Sequence, residues 1–286
     1  MLLAIDARNR AIVVGIRASA PSPGEARDRG SGWLALRRLG AISERSEDEY
    51  AFLFREIFRD IPSRAADRSA AGPDAAAARR QDAIEAAWLS SVVPAMTGRI
   101  CEGVRTAFGV TCSVVGPGTR TGVKIRTDVP SEVGADLVCA AAAAREIVGG
   151  PCIIVDFGTA ISLSAVNGAG EFLGCAIAPG IAAAAESLRS ATAQIPEVRL
   201  DSPVKAIGRT TAQSVQSGIL LGYGGLVQRL VELIRGEMAP ADCGPIQVIG
   251  TGDPLGRSLL ASIGYDRFIP DLALEGLAII AARSAP

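Results

Sequence analysis

Apolar positions along the chain fall into two copies of one pattern. Residues 2 to 16, LLAIDARNRAIVVGI, run apolar into Asp6, bend through a polar stretch and leave as a second apolar run. Residues 152 to 166, CIIVDFGTAISLSAV, do the same around Asp156. Short apolar runs bounded by turn residues predict buried strands, so each copy reads as strand, tight turn, strand, with a carboxylate at the bend. The second turn, Phe157-Gly158-Thr159-Ala160, contains glycine. The first carries Arg8 and Arg10 where a phosphate-wrapping turn would want it. Such a repeat predicts two half-molecules of similar build facing each other.

Helical spacing fills the intervals. Ser46 and Glu49 form a capping-box pattern, and Tyr50, Leu53, Phe54, Ile57 and Phe58 behind them share one face. WLSSVVP, residues 88 to 94, predicts a buried strand ending at Pro94, with a helix running to about Phe108. GPGTRTG, residues 116 to 122, is a glycine-rich loop or a plain turn. Residues 134 to 148 predict an alanine-rich helix stopped by Gly149-Gly150. Asp136 lies in its first turn, where the helix dipole favours a carboxylate; it is either a cap or a working group. A long helix is expected from about Thr211 to Glu237. Its glycines 218, 222, 224 and 225 cost helix stability and so imply close packing against another helix, within the chain or across a subunit boundary. IQVIGTGDPL predicts a strand, a Gly250-Thr251-Gly252 turn and a helix from about Pro254; a final helix is expected over 273 to 283. Residues 62 to 82 show no period and read as a surface loop or link. Strands alternating with helices, each half opening on a hairpin, predict α/β halves with mixed sheets.

Composition narrows the chemistry. The chain of 286 residues has a net charge of −1 with the signs interspersed, so no nucleic-acid-binding stripe is expected. No apolar run approaches the ~18 residues of a membrane span, and the start lacks a charged leader, so a cytoplasmic protein away from membranes is expected. Histidine is absent, which excludes a Ser-His-Asp triad, a Cys-His pair and His-ligated zinc. The lysines are Lys124 and Lys205, and neither sits in a P-loop. The six cysteines, without a C-x-x-C pair, read as small buried hydrophobes.

Proton transfer then falls to carboxylates, and Asp6, Asp136 and Asp156 stand out. Asp6 and Asp156 end strands at matching places, so a cleft between the halves would bring them close. Facing carboxylates favour a cation, and a cation beside a glycine-bearing turn suits a triphosphate. An aspartate at a helix start could accept a proton from a substrate hydroxyl. Together these are the parts of phosphoryl transfer to a small alcohol.

An ordered set of segments carries a resemblance over residues 2 to 280: LLAID, SEDEYAFL, LSSVVP, GPGTRTGVKI, PSEVGAD, CIIVDFGTA, FLGCAIAPGI, TAQIPEV, SVQSGILLGYGGLV, VIGTG and DLALEGL. The chain resembles the type III pantothenate kinases of the acetate and sugar kinase, heat-shock ATPase and actin superfamily. The resemblance implies an α/β fold of two similar actin-like (ribonuclease H-like) lobes with mixed sheets and a cleft, divided near residues 1–132 and 133–286. It implies ATP-dependent phosphorylation of pantothenate, the first step of coenzyme A biosynthesis, with ATP, Mg2+ and a monovalent cation (K+ or NH4+). Carried over by position, Asp136 is the base that takes the pantothenate hydroxyl proton. Asp6 begins the first phosphate motif and meets the Mg2+-phosphate, with Arg8, Asn9 and Arg10 in its turn. Asp156 holds the monovalent cation. Gly158 and Thr159 contact ATP, and Gly250 and Gly252 lie near the nucleoside. Gly134, Ala135, Leu137, Thr127 and Thr192 form the pantothenate side, Thr192 from the neighbouring subunit of a homodimer.

Departures from the family pattern cluster at ligands. The first phosphate motif, D-x-G-N-[TS], reads Asp6-Ala7-Arg8-Asn9-Arg10. The arginine of G-A-D-R, expected to meet the pantothenate carboxylate, is Leu137, a loss of about 1.5 to 3 kcal/mol of recognition. Thr127 replaces an aromatic residue, and T-G-G reads Thr251-Gly252-Asp253. Either arginine could turn to the phosphates and replace backbone contacts with charge, or fill the pocket. Three readings follow: a pantothenate kinase in its own right; a non-catalytic or half-catalytic regulatory member that pairs with an intact paralogue in a heterodimer; or a kinase for another small alcohol.

Overall fold

The computed structural model describes residues 1–18, 32–61, 83–192, 195–200, 205–238, 244–261 and 264–284. The segment 62–82, expected to be a loop or link, lies outside them. The chain divides into two compact units: Met1–Thr121 with Gly134–Cys139 and Ala273–Pro286, and Gly122–Val133 with Ala140–Leu272.

The first unit is built on β1 (Leu2–Ala7), β2 (Ala11–Arg17), β3 (Trp33–Gly40), β4 (Ala86–Ser91) and β5 (Cys112–Val114), in the order β3-β2-β1-β4-β5. The first two pairings are antiparallel and the last two parallel. Strand alternation sorts β1 by face. Leu3, Ile5 and Ala7 join a core with Tyr50, Phe54 and Ile57 of α1 (Glu47–Arg59) and Ile100 and Val104 of α2 (Pro94–Phe108). Leu2 turns to Ala278 and Ala281 of the last helix, Leu272–Ser284. Both faces are covered, which is why β1 is buried throughout. Asp6 shares the parity of Leu2 and so points to the face away from α1 and α2.

The capping box forms in both directions: Glu49 N–H donates to Ser46 Oγ at 3.3 Å, and Ser46 N–H to Glu49 Oε2 at 2.7 Å. Pro94 opens α2 instead of closing β4, since a residue without an N–H suits the first helical position. α2 ends on Gly109 at φ +72°. The alanine-rich helix is α3 (Ala135–Val148); its first turn belongs to the first unit.

The second unit orders its strands β11-β10-β7-β8-β9-β6, where β6 is Lys124–Ile125, β7 Cys152–Phe157, β8 Ala160–Val166, β9 Glu171–Pro179, β10 Gln247–Gly252 and β11 Arg267–Phe268. β7 and β8, then β8 and β9, pair antiparallel; β10 joins β7, and β11 joins β10, in parallel. Reading β9-β8-β7-β10-β11 against β3-β2-β1-β4-β5 gives the same order and the same directions. The repeat expected from the two acidic bends is thus a repeat of whole sheets. Helices α4 (Ile181–Ser190), α5 (Thr211–Met238) and α6 (Pro254–Ala261) supply its core through Ile181, Val215, Val227, Leu259 and Leu260; the last helix, Leu272–Ser284, is α7.

One expectation is corrected. The exposed glycines of α5 do not serve close packing inside the chain, because nothing lies within 4 Å of a Cβ built at Gly218, Gly222 or Gly225.

Candidate active site

In the first unit, Asp6 ends β1 opposite Ser90 of the parallel strand β4. The turn closes through Arg8 N–H donating to Ala11 C=O at 2.9 Å. Among the described residues no non-glycine residue has positive φ, so arginine at position 8 strains nothing in the backbone. What it changes is space and charge. Arg8 Nε donates to Asp6 Oδ2 at 2.7 Å, with side-chain exposures of 22% and 4%. Asp6 Oδ1 is buried without a hydrogen-bond partner. Asn9 and Arg10 are exposed, and Arg10 C=O accepts the Ala41 N–H at 3.1 Å.

Asp136 sits in the first turn of α3, half-buried, and its Oδ1 accepts the Leu137 N–H at 2.9 Å. Gly134 makes that position possible, since a Cβ there would stand 2.6 Å from Asp136 Oδ1. Its own carbonyl accepts the first helical bond, from Val138 N–H at 3.1 Å. Ala135 and Leu137 are half-buried beside it.

One turn on, Cys139 reports how these groups converge. Burial pushes its thiol up, and the carboxylates of Asp6 and then Asp136 push it further, against the opposing pull of Ser90 and Arg8. Asp6, Arg8, Asp136 and Ser90 therefore all act on one buried thiol. Sequence reasoning gave Ser90 and Cys139 no place in the site. The β1–β4 register reveals Ser90; the α3 spacing of three residues from Asp136 to Cys139 was the available signal for the thiol.

In the second unit, Asp156 ends β7 opposite Ser162 and Thr251 and is 5% exposed. Gly252, at φ +89°, lies over it: a Cβ would fall 2.6 Å from Asp156 Oδ1 and into the Phe157 carbonyl. The β7–β8 turn presents Gly158 and Thr159 to solvent, and Gly180 N–H donates to Thr159 C=O at 2.9 Å. Asp253 N–H donates to Phe157 C=O at 2.7 Å, which ties the late turn to the DFGTA turn. The Asp253 carboxylate is engaged as the cap of α6, accepting Leu255 N–H at 2.8 Å. A cavity of about 350 Å³ opens beside these turns, walled by Phe157, Ile181 and Pro196 and reaching Gly158, Arg189 and Asp253.

Other residues named from the sequence have plainer surroundings. Gly250 is buried where a Cβ would strike Leu260 and Phe268, so it serves packing. Thr251 bridges backbone, donating to Pro270 C=O at 3.1 Å and accepting Leu272 N–H at 3.2 Å. Thr192 is exposed and donates to Leu188 C=O at 2.9 Å. Thr127 Oγ1 is buried without a hydrogen-bond partner.

The cations that the resemblance implies meet these residues differently. The glycine cradle over the Asp156 carboxylate fits a monovalent ion. Asp6 offers its buried Oδ1, while Arg8 already occupies Oδ2. Among the described residues no group of three or more His, Cys, Asp or Glu side chains forms a metal cluster.

Comparison with known proteins places this arrangement. The family model for type III pantothenate kinase matches residues 2–233. A type III pantothenate kinase from Dehalococcoides mccartyi strain CBDB1 is 36% identical over 279 residues, covering 98% of this chain and 94% of that protein. One from Koribacter versatilis is 37% identical over 289 residues, covering 99% and 96%. A solved structure from Campylobacter jejuni, described as a conserved Baf-family transcriptional activator, superposes with a TM-score of 0.55 at 13% identity over 98% of each chain, a likeness of fold alone. Both units are built on the same mixed sheet order, and the chain belongs to the type III pantothenate kinase family.

Proposed function

We propose that this protein phosphorylates pantothenate from ATP, with Asp136 as general base, as the first step of coenzyme A biosynthesis in the cytoplasm. The observation that carries the reading is that Asp6, with Arg8 in its turn, and Asp136, at the start of α3, belong to one compact unit and act on the same buried thiol. It supports a proton acceptor beside a phosphate turn, which is the local requirement for in-line transfer to a hydroxyl. Asp136 is half-buried, so a substrate hydroxyl can reach it, and Gly134 keeps its carboxylate against the backbone. Gly158, Thr159 and Gly252 would meet the triphosphate tail, and the 350 Å³ cavity beside them would receive the nucleoside against apolar walls. Asp156 would hold K+ or NH4+, a fixed charge that offsets phosphate repulsion. Thr127 and Thr192 remain candidates on the pantothenate side.

The exposed face of α5 supports a dimer. Gly218, Gly222 and Gly225 recur on one side of the helix with nothing among the described residues within 4 Å of an added Cβ, and Leu221 between them is exposed, which suits a helix from a second copy. No helix among the described residues is long and apolar enough to cross a membrane.

A second reading is favoured by Arg8 and Leu137: a regulatory or half-catalytic member that completes its site with an intact paralogue. One experiment separates the two. The purified chain is given ATP, Mg2+, K+ and pantothenate, and ADP release is followed. Release by the chain alone supports the first reading. Release only after adding a paralogue with an intact D-x-G-N-T turn supports the second. Silence with pantothenate but turnover of another small alcohol moves the substrate, as Leu137 would allow; silence throughout defeats the kinase reading.

A further inference from the structure

We propose that Arg8 is the resident cation of the first phosphate turn: it holds the Asp6 carboxylate in the place of a divalent ion and makes that turn a guanidinium site for the polyphosphate tail of a nucleotide. The inference rests on the kinase reading only for the identity of the nucleotide.

The geometry leaves little choice. Asp6 is a charged group at 4% exposure, and Asp136 adds a second negative charge beside the same buried thiol. A carboxylate as dry as Asp6 calls for a compensating cation. Arg8 supplies it at 2.7 Å, from a side chain that is still 22% exposed. A hard divalent ion would approach a carboxylate oxygen to about 2.0–2.1 Å, where it would meet the positive charge of a guanidinium bonded to the same group. The other oxygen, Oδ1, is buried. A metal ion and Arg8 therefore compete for the charge of one carboxylate, and a second anion can draw Arg8 away from it. A phosphate chain is such an anion, because guanidinium matches its oxygens in shape and charge. The turn thus recognises polyphosphate by charge, where a glycine turn would do so by close backbone approach.

The test uses the full chain in two titrations, with Arg8→Gly and Arg8→Gln as independent variants and thermal unfolding as a check of folding. Mn2+ binding without nucleotide is followed by electron paramagnetic resonance. Both variants should bind Mn2+ about ten- to a hundredfold more tightly than the native chain, the size of one charge-assisted contact, and a further Asp6→Asn change should remove the gain. Inorganic tripolyphosphate is then titrated calorimetrically in EDTA. The native chain should bind it, and both variants should lose about ten- to a hundredfold. Mn2+ affinity equal in native and variant chains, or tripolyphosphate affinity unmoved by loss of the guanidinium, overturns the proposal. Neither readout needs pantothenate or turnover, so shifts seen in a chain silent with every alcohol and with the paralogue would defeat the kinase reading and leave this one standing.

Discussion

Replacing Gly134 with alanine should separate catalysis from stability. The added Cβ would lie 2.6 Å from Asp136 Oδ1, whereas ordinary contact begins at 3.4 Å, so the carboxylate must retreat by roughly 0.8 Å. The obstructed atom is the end of a side chain, which can rotate away. The backbone need not move, and Val92 at 3.5 Å is already at contact distance. The thermodynamic loss is then the Leu137 N–H bond to Oδ1 together with the poorer cap that alanine makes, about 1 kcal/mol. That is a fall in melting temperature of a few degrees at most. The kinetic loss is larger, because a general base displaced by nearly 1 Å from its reacting hydroxyl costs about a hundredfold. ADP release at saturating pantothenate gives kcat, and a thermal melt of the same preparation gives stability. A variant with near-native kcat would refute the role of Gly134 in aiming Asp136. A variant that loses kcat only in proportion to its folded fraction would refute it as well.

Other consequences are simpler. Gly276→Ala places a Cβ inside the Cys139 carbonyl, where backbone cannot yield, so urea unfolding should show a loss of about 3 kcal/mol or more; an effect below ~1 kcal/mol would mean α3 and α7 can part. Glu49 is held below its ordinary 4.5 by the Ser46 backbone and hydroxyl bonds. Its folded value is depressed, so its contribution is present above pH 4.5 and lost as pH falls through the folded value; Glu49→Gln should flatten that part of the acid limb of a stability-versus-pH curve. Burial pushes the Cys152 thiol up to about 12 from 9.0 and raises Cys139 as well, while Cys175 is exposed. Iodoacetamide at pH 8 should therefore alkylate Cys175 and spare Cys139 and Cys152 until denaturant is added, as mass spectrometry of the digested chain would show. Because their folded values are raised, stability should begin to fall above pH 9.0, where the unfolded thiols ionise.

Much of the frame was legible because it rests on local rules. The capping box at Ser46, the span of α2, the alanine-rich helix and the two acidic hairpins follow from periodicity, capping and turn chemistry, each contained within a dozen residues. What escaped was pairwise and distant. That Ser90 lies opposite Asp6 depends on the register of β4 against β1 across more than eighty residues, which no local pattern encodes. Cys139 looked like filler because burial is the same for a packing thiol and for one set among carboxylates. Gly250 and Gly252 formed one motif in the sequence, yet Gly250 meets Leu260 and Phe268 while Gly252 meets Asp156. Strand alternation alone would give the two glycines one face, but Gly252, at φ +89°, leaves the extended conformation and so meets different neighbours. Asp253, a departure from the family's T-G-G, is a helix cap, a role visible in its spacing to Leu255.

The repeated strand order gives the two bends a common origin in geometry and so isolates what differs between them. Asp6 and Asp156 each end the central strand of a sheet with the same neighbours in the same directions, and each is almost fully buried. Backbone placement is therefore not what distinguishes them. The distinction lies in what each carboxylate meets. Asp156 has the bare backbone of Gly252 over it, kept open by a φ that side-chain-bearing residues avoid. Asp6 has a guanidinium from two residues along its own strand, in a turn whose backbone any residue could adopt. A change at position 8 was therefore open to the fold at no conformational cost, while a change at 252 was not. Chemistry carried by charge leaves position 8 free to vary, and chemistry carried by close approach constrains position 252.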